Sequence, residues 1–217
     1  MDFGRLMTVG GIVMWPLLIS SVVAIALIAE RVWFWYKIYR RQPRLLKEVV
    51  ELYRHEPSLV PARLKRSLDQ PIARIFLAAV ELEDPTPEEF RLALESESQA
   101  ELPTMKRFNA IFDTIVALSP LLGLLGTILG LITSFSSLNI GDLGGTQSTG
   151  VASGISEALV STATGMIVAI FTLVFANIFR GMYQRQMALI QEYGGQMELI
   201  YRRHHDRTRN GVFYAST

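Results

Sequence analysis

Apolar residues in this chain are gathered into three long runs, at 12–29 (IVMWPLLISSVVAIALIA), 114–138 and 154–179, with polar stretches between them. Each run is long enough to cross a bilayer as a helix, since about 20 helical residues span the roughly 30 Å of hydrocarbon. The first contains Pro16 near its start, where a missing backbone donor is tolerated. Residues 30–113 show a different pattern. Leu45, Leu46, Val49, Val50, Leu52 and Tyr53, and again Ile72, Ile75, Phe76, Ala79 and Val80, recur at helical spacing. Prolines at 43, 57, 61, 71, 85, 87 and 103 punctuate them, which predicts several short helices. Thr86-Pro87-Glu88-Glu89 is a helix start: Thr86 caps, Pro87 takes the first helical position and Glu89 closes a capping box. In 180–217, Tyr183, Gln186, Ile190, Tyr193, Met197 and Ile200 form a short heptad seam, so the third span is expected to continue as a helix along a neighbour. Gly194-Gly195 should weaken that helix, and Asn210–Thr217 is expected to be a disordered tail.

Charge fixes the orientation of this plan. Trp33, Phe34, Trp35 and Tyr36 form an interfacial aromatic belt, and Arg31, Lys37, Arg40, Arg41 and Arg44 surround it, against one Arg5 before the first span. Lys106 and Arg107 precede the second span, and Arg180 and Arg185 follow the third. The positive-inside rule then puts 1–11 outside, 30–113 and 180–217 in the cytoplasm, and 139–153 outside as a connection rich in Gly, Ser and Thr. Segment 1–11, with Phe3, Leu6, Met7 and Val9 against Asp2 and Arg5, is expected to lie in the interface. The fold class is therefore an all-α membrane protein, with three transmembrane helices and long cytoplasmic helical extensions. A cleavable signal peptide is the competing reading of the first run, but the run is too long and no small-residue cleavage site follows it.

Half of the 217 residues are apolar and the formal charge is +1, which gives no case for nucleic acid as a partner. The absence of Cys excludes disulfides, thiolate metal sites and cysteine nucleophiles. No catalytic constellation and no cofactor motif is evident; Gly123–Thr127 has no following Lys and is not a phosphate loop. His204-His205-Asp206 has metal-ligand chemistry but reads more simply as a solvated tail, and no metal is expected.

Candidate chemistry lies in the last two runs. From Thr114 to Phe179 there is no Lys or Arg, and the only acids are Asp142 and Glu157. An acid within a span costs about 2.5–3.5 kcal/mol on insertion scales and normally marks an ion or proton path. The competing reading makes Glu157 a first-turn helix acid capped near Ser153 or Gly154; it weakens if Thr146, Ser148 or Thr149 starts the helix instead. Ser161, Thr162, Thr164 and Thr172 follow it. On the second span Ser119, Gly123, Gly126, Gly130, Thr133 and Ser137 share a narrow stripe, with Thr127 and Ser134 at its edge. Gly126-x-x-x-Gly130 is the spacing of close helix packing, so Gly123, Gly126 and Gly130 are expected at a packing face, with a polar lumen as the alternative for the hydroxyls.

This plan, with GLLGT at Gly123–Thr127 and GISEALVSTATG at Gly154–Gly165, resembles the MotA/TolQ/ExbB proton-channel family over nearly the whole chain. GGIVMWPLLI followed by AERVWFW is more like the ExbB branch than the TolQ branch. The resemblance implies a pentameric helical bundle around a central pore, in a bacterial inner membrane. The pore would hold an ExbD-like single-span partner, and a TonB-like protein would carry the work to outer-membrane transporters, such as those for iron–siderophores. Of the family's pore positions, the third-span glutamate falls on Glu157 and the two threonines on Thr127 and Thr162; Ser161 and Thr164 lie beside them. Glu157 and Thr162 are about 140° apart on a helix, so one lumen-facing stripe does not hold both. The function implied is a motor subunit without enzymatic activity. The alternatives are a TolQ-like stator for envelope maintenance and a non-conducting scaffold for a partner helix. A self-contained transporter is disfavoured, because three spans give no inverted repeat.

Overall fold

The computed structural model describes residues 11–136 and 146–215, with side chains described for 11–136 and 150–207. The expectations for 1–10 and for 137–145, including Ser137 and Asp142, lie outside the described residues, as do the capping side chains of Thr146, Ser148 and Thr149. Every regular element among the described residues is helical: α1 (Met14–His55), a 3-10 turn (Pro57–Leu59), α2 (Val60–Lys65), α3 (Pro71–Val80), α4 (Pro87–Met105), α5 (Asn109–Ser136) and α6 (Thr146–Ala215). Three of the helical stretches are long and apolar enough to cross a membrane.

The helices are longer than the proline punctuation predicts. Pro43 lies inside α1, Pro103 inside α4 and Pro120 inside α5. Each removes one backbone bond, but the turns on either side keep theirs. At Pro43 the neighbouring Leu45, Leu46 and Val49 are buried, and that burial holds the helix through the break. Asn210–Ala215, expected as disordered tail, continue α6; extending a formed helix fixes one residue per added bond and carries no nucleation cost. The capping box forms as its residues predict. The Glu89 backbone N–H donates to Thr86 Oγ1 at 3.3 Å, and the Thr86 backbone N–H donates to Glu89 Oε2 at 2.7 Å.

The chain divides into two compact units. One comprises Met1–Arg31 and Phe108–Phe179, the other Val32–Arg107 and Arg180–Thr217. The second unit has a contiguous apolar core. Leu45, Leu46 and Val49 of α1, Val60 and Leu64 of α2, Ile72, Ile75 and Phe76 of α3, Phe90 and Leu94 of α4, and Ile190 and Met197 of α6 are buried together. The heptad seam expected along a neighbour is instead occupied by this core, with Tyr183, Tyr193 and Ile200 packed at its edge. The seam's apolar face finds cover within its own chain because α3 and α4 supply a complementary apolar face. Gly194 and Gly195 do not interrupt α6; a side chain at Gly195 would meet nothing within 4 Å. The half-buried pair Arg74–Glu101 ties α3 to α4, with Arg74 Nη2 donating to Glu101 Oε2 at 2.6 Å.

The first unit inverts this pattern. Where α5 and α6 face each other the inner positions are small or polar: Ser119, Gly123, Gly126, Gly130 and Ser134 on α5, and Gly154, Ala158, Ser161, Gly165, Ala169, Thr172 and Ala176 on α6. Its outer faces carry the large apolar side chains, among them Ile19 and Val22, Leu124 and Ile128, and Ile167 and Val174. Lipid tails are as apolar as leucine, so nothing drives those side chains inward, and helices associate through close backbone approach.

Candidate functional site

The approach of α5 to α6 is set by glycine. A Cβ at Gly165 would lie 2.4 Å from the Ser119 carbonyl oxygen, and one at Gly154 would lie 2.5 Å from the Gly130 carbonyl. At Gly130 it would lie 2.6 Å from the Gly154 carbonyl, and at Gly126 it would lie 2.2 Å from Ser161 Oγ. These distances are below any real Cβ contact, so only glycine permits this separation. Gly123, Gly126 and Gly130 thus face α6 of the same chain, where Gly154 and Gly165 complete the contact. The stripe also bends away from its expected course. Ser134 is buried and Thr133 is exposed, because Gly154 brings α6 against Ser134 at the end of α5. Ser134 Oγ donates to the Val151 carbonyl at 3.1 Å.

Two of the candidate hydroxyls meet at this seam. Thr162 Oγ1 donates to the Gly123 carbonyl at 3.0 Å, and the fully buried Ser161 Oγ donates to the Ala158 carbonyl at 2.9 Å, with Gly123 O a further 3.4 Å contact. Thr127 is half-buried and donates to the Leu124 carbonyl at 2.6 Å; Thr164 is half-buried and donates to the Val160 carbonyl at 2.8 Å. The hydroxyls of Thr127, Thr164 and Ser161 therefore bond within their own helices, Ser161 with a longer contact to α5, whereas that of Thr162 reaches across to α5.

Glu157 lies about three turns inside α6, which begins at Thr146, so it is not a first-turn acid. It is half-buried and one turn before Ser161, on the side of α6 toward the start of α1. Gly11 lies against its carboxylate and has a left-handed backbone, φ +68°. Sequence reasoning singled out neither Gly11 nor the α6 half of the seam. The latter was legible as small residues at 154, 158, 161, 165, 169 and 172, spaced four or three apart. Gly11 offers no comparable signal, since one glycine before an apolar run fits any turn.

At the other end of this unit, Arg31 is almost fully buried on α1. Its guanidinium carbon lies 5.2 Å from the centre of the Phe108 ring, and its Nε is 3.1 Å from Glu30 Oε2. No group of three His, Asp or Glu residues with metal-site geometry occurs among the described residues.

Comparison with known proteins places these residues in context. Residues 67–192, which include both glycine-bearing helical faces and Glu157, match the MotA/TolQ/ExbB proton channel family. The ExbB-like 3 protein of Synechocystis sp. is 60% identical over 207 residues, spanning 95% of this chain and 99% of the relative. The ExbB-like 1 protein of the same organism is 41% identical, over 89% of this chain and 76% of the relative. The biopolymer transport protein ExbB of Salmonella typhimurium is 37% identical over 99 residues, 46% of this chain and 40% of that protein.

Proposed function

This chain belongs to the MotA/TolQ/ExbB proton channel family, and from that membership we propose that it is the channel-forming subunit of a proton-driven motor in a bacterial inner membrane. Five copies enclose a pore, and the pore holds the membrane helices of an ExbD-like partner. The N-terminus is periplasmic and the C-terminus cytoplasmic. Protons crossing the membrane displace the partner helices, and a TonB-like protein carries that work to outer-membrane transport.

The observation that carries this reading is Glu157. It is one of only two acids between Thr114 and Phe179, it lies deep in α6, and it is half-buried rather than packed into the glycine seam. Each charge that crosses releases roughly 2.3 kcal/mol per 100 mV, enough to bias a two-state helix packing by tens of fold. In this reading Thr127 and Thr164 lie beside the path. Thr162 has a second claim on it: its bond to the Gly123 carbonyl favours a packing role at the seam.

The test is a set of variants expressed with the ExbD-like partner, each followed by complex mass and by growth that depends on energised transport. Glu157→Ala should abolish transport with the complex intact, and Glu157→Gln should do nearly the same, because the amide cannot carry a proton through a charge cycle. Thr127→Ala should impair transport more mildly. Thr162→Ala should lower the assembled fraction as well as transport. A fully active Glu157→Gln complex would refute the proton-path reading. A disassembled Glu157→Ala complex beside an active Glu157→Gln complex would establish the scaffold alternative.

A further inference from the structure

Gly11 lies in the turn that leads into α1. The Met14 backbone N–H donates to its carbonyl at 3.2 Å, and its φ is +68°. The buried side chains of Val13, Met14 and Leu17 fix this turn against Leu122 and Leu129 of α5. A Cβ on Gly11 would lie 1.6 Å from Glu157 Oε1, 2.6 Å from its Cδ and 3.2 Å from its Cγ. The volume that any other residue would fill with a side chain is therefore filled by the carboxylate of α6. A helix amino end favours a negative charge at this position through its dipole.

We propose that Gly11 is a positioning residue for Glu157. The bare backbone of the α1 opening turn seats the carboxylate, holds it to one side of α6 and closes one face of it to proton exchange. This rests on the reading of Glu157 as the proton-carrying group. Three helices build the seat: α1 supplies the backbone, α5 anchors it, and α6 supplies the carboxylate. The glycine has two requirements to meet. Its left-handed conformation disfavours any residue with a Cβ, and the carboxylate excludes that Cβ sterically. The steric requirement is the functional one. A methyl group here need not unfold the unit, because the atom it meets is the end of a flexible side chain. It would instead drive Oε1 from 1.6 Å to at least 3.0 Å from the added carbon, and so out of its seat.

The experiment uses the full complex with its ExbD-like partner in native membranes and the variants Gly11→Ala, Gly11→Asn, Glu157→Gln and Gly11→Ala combined with Glu157→Asp. Each is read by complex mass, by energised transport, and by the rate at which dicyclohexylcarbodiimide labels residue 157. Both Gly11 variants should remain assembled and label faster than the parent. Their transport should fall on the order of tenfold or more, since displacing a reacting group by about 1 Å can cost as much as a hundredfold. Adding Glu157→Asp shortens the side chain by one methylene and should restore part of the transport lost in Gly11→Ala. Asn tolerates left-handed backbone better than Ala. A Gly11→Asn complex with parental transport and labelling would therefore show that backbone strain alone acted, and would overturn the proposal. Failure of Glu157→Asp to relieve Gly11→Ala would overturn it as well. If Glu157→Gln is inactive while both Gly11 variants match the parent, the seat is refuted and the proton-path reading stands. If Glu157→Gln is fully active, the proton-path reading falls by itself, and labelling of Glu157 in the Gly11 variants still decides whether the seat exists.

Discussion

Replacing a helical glycine by alanine normally stabilises a helix by about 1 kcal/mol, and this chain contains two sites where the same change should have opposite signs. At Gly195 an added Cβ meets nothing within 4 Å, so Gly195→Ala should gain most of that amount. At Gly165 the added Cβ would stand 2.4 Å from the Ser119 carbonyl oxygen and 3.2 Å from both Cα and N of Gly123. All three are backbone atoms on the facing helix, so relief requires moving α5 away from α6. Overpacking of this kind costs typically about 1–3 kcal/mol, and a backbone obstacle puts the cost at the upper end. After the propensity gain is subtracted, Gly165→Ala should destabilise by roughly 1–2 kcal/mol. In a chain of this size each kcal/mol moves the midpoint by about 2–4 °C. Gly195→Ala should therefore melt about 2–4 °C above the parent, and Gly165→Ala about 2–8 °C below it. Heating the purified protein in detergent and measuring the monodisperse fraction on a sizing column, by tryptophan emission, reports both values. A Gly165→Ala protein that melts at or above the parent would refute the close backbone approach of the two helices.

Further outcomes follow from other contacts. Arg74→Ala leaves Glu101 buried without its ion pair and should destabilise by about 2–3 kcal/mol, less than the roughly 3–5 kcal/mol of a fully buried pair because a third of the Arg74 side chain meets solvent. A combined Arg74→Met and Glu101→Leu change should recover most of that loss in the same melting assay. The Glu89 carboxylate is held below its ordinary range because the Thr86 backbone N–H, and then the Thr86 hydroxyl, donate to it. Its folded-state pKa is depressed, so its contribution is present at neutral pH and is lost as the pH falls through that lowered value. Thr86→Ala should therefore lower the midpoint at pH 7 and narrow the gap between the midpoints at pH 7 and pH 3. For topology, Gln147→Cys should react with a membrane-impermeant thiol reagent in cells permeabilised only at the outer membrane, and Ser67→Cys should not; the reverse result would overturn the orientation.

The parts of the fold that were legible in the sequence are those in which local chemistry suffices. The three apolar runs are long enough that no tertiary context could hide them, and Thr86–Glu89 carries both halves of its cap within four residues. Proline was the misleading signal. Pro43 predicts a break, but tertiary burial of Leu45, Leu46 and Val49 keeps α1 continuous through it. The heptad seam at 183–200 was legible as an apolar face, yet periodicity does not name the partner, and α3 and α4 of the same chain cover it. The same limit holds in the membrane unit. The second-span stripe showed that something approaches closely, and Gly154 and Gly165 identify it as α6. Thr133 and Ser134 exchange roles because an angle on an isolated helix ignores where the facing helix lies. Gly11 and Glu157 stand at opposite ends of the membrane unit's sequence, and only folding brings them together.

The candidate threonines share one property that bears on water. Thr127, Thr162 and Thr164 each direct their single hydrogen to a backbone carbonyl, at 2.6, 3.0 and 2.8 Å. Only lone pairs remain to face outward, so a water molecule resting on any of the three must point a hydrogen at it. Such hydroxyls orient a water file without passing a proton along it, since relaying one requires breaking the bond to the carbonyl first. Of the candidate residues, Glu157 is the one that can both take up a proton and return it. On the proposed proton path the threonines would set the direction in which water lies, and the carboxylate would be where a proton stops.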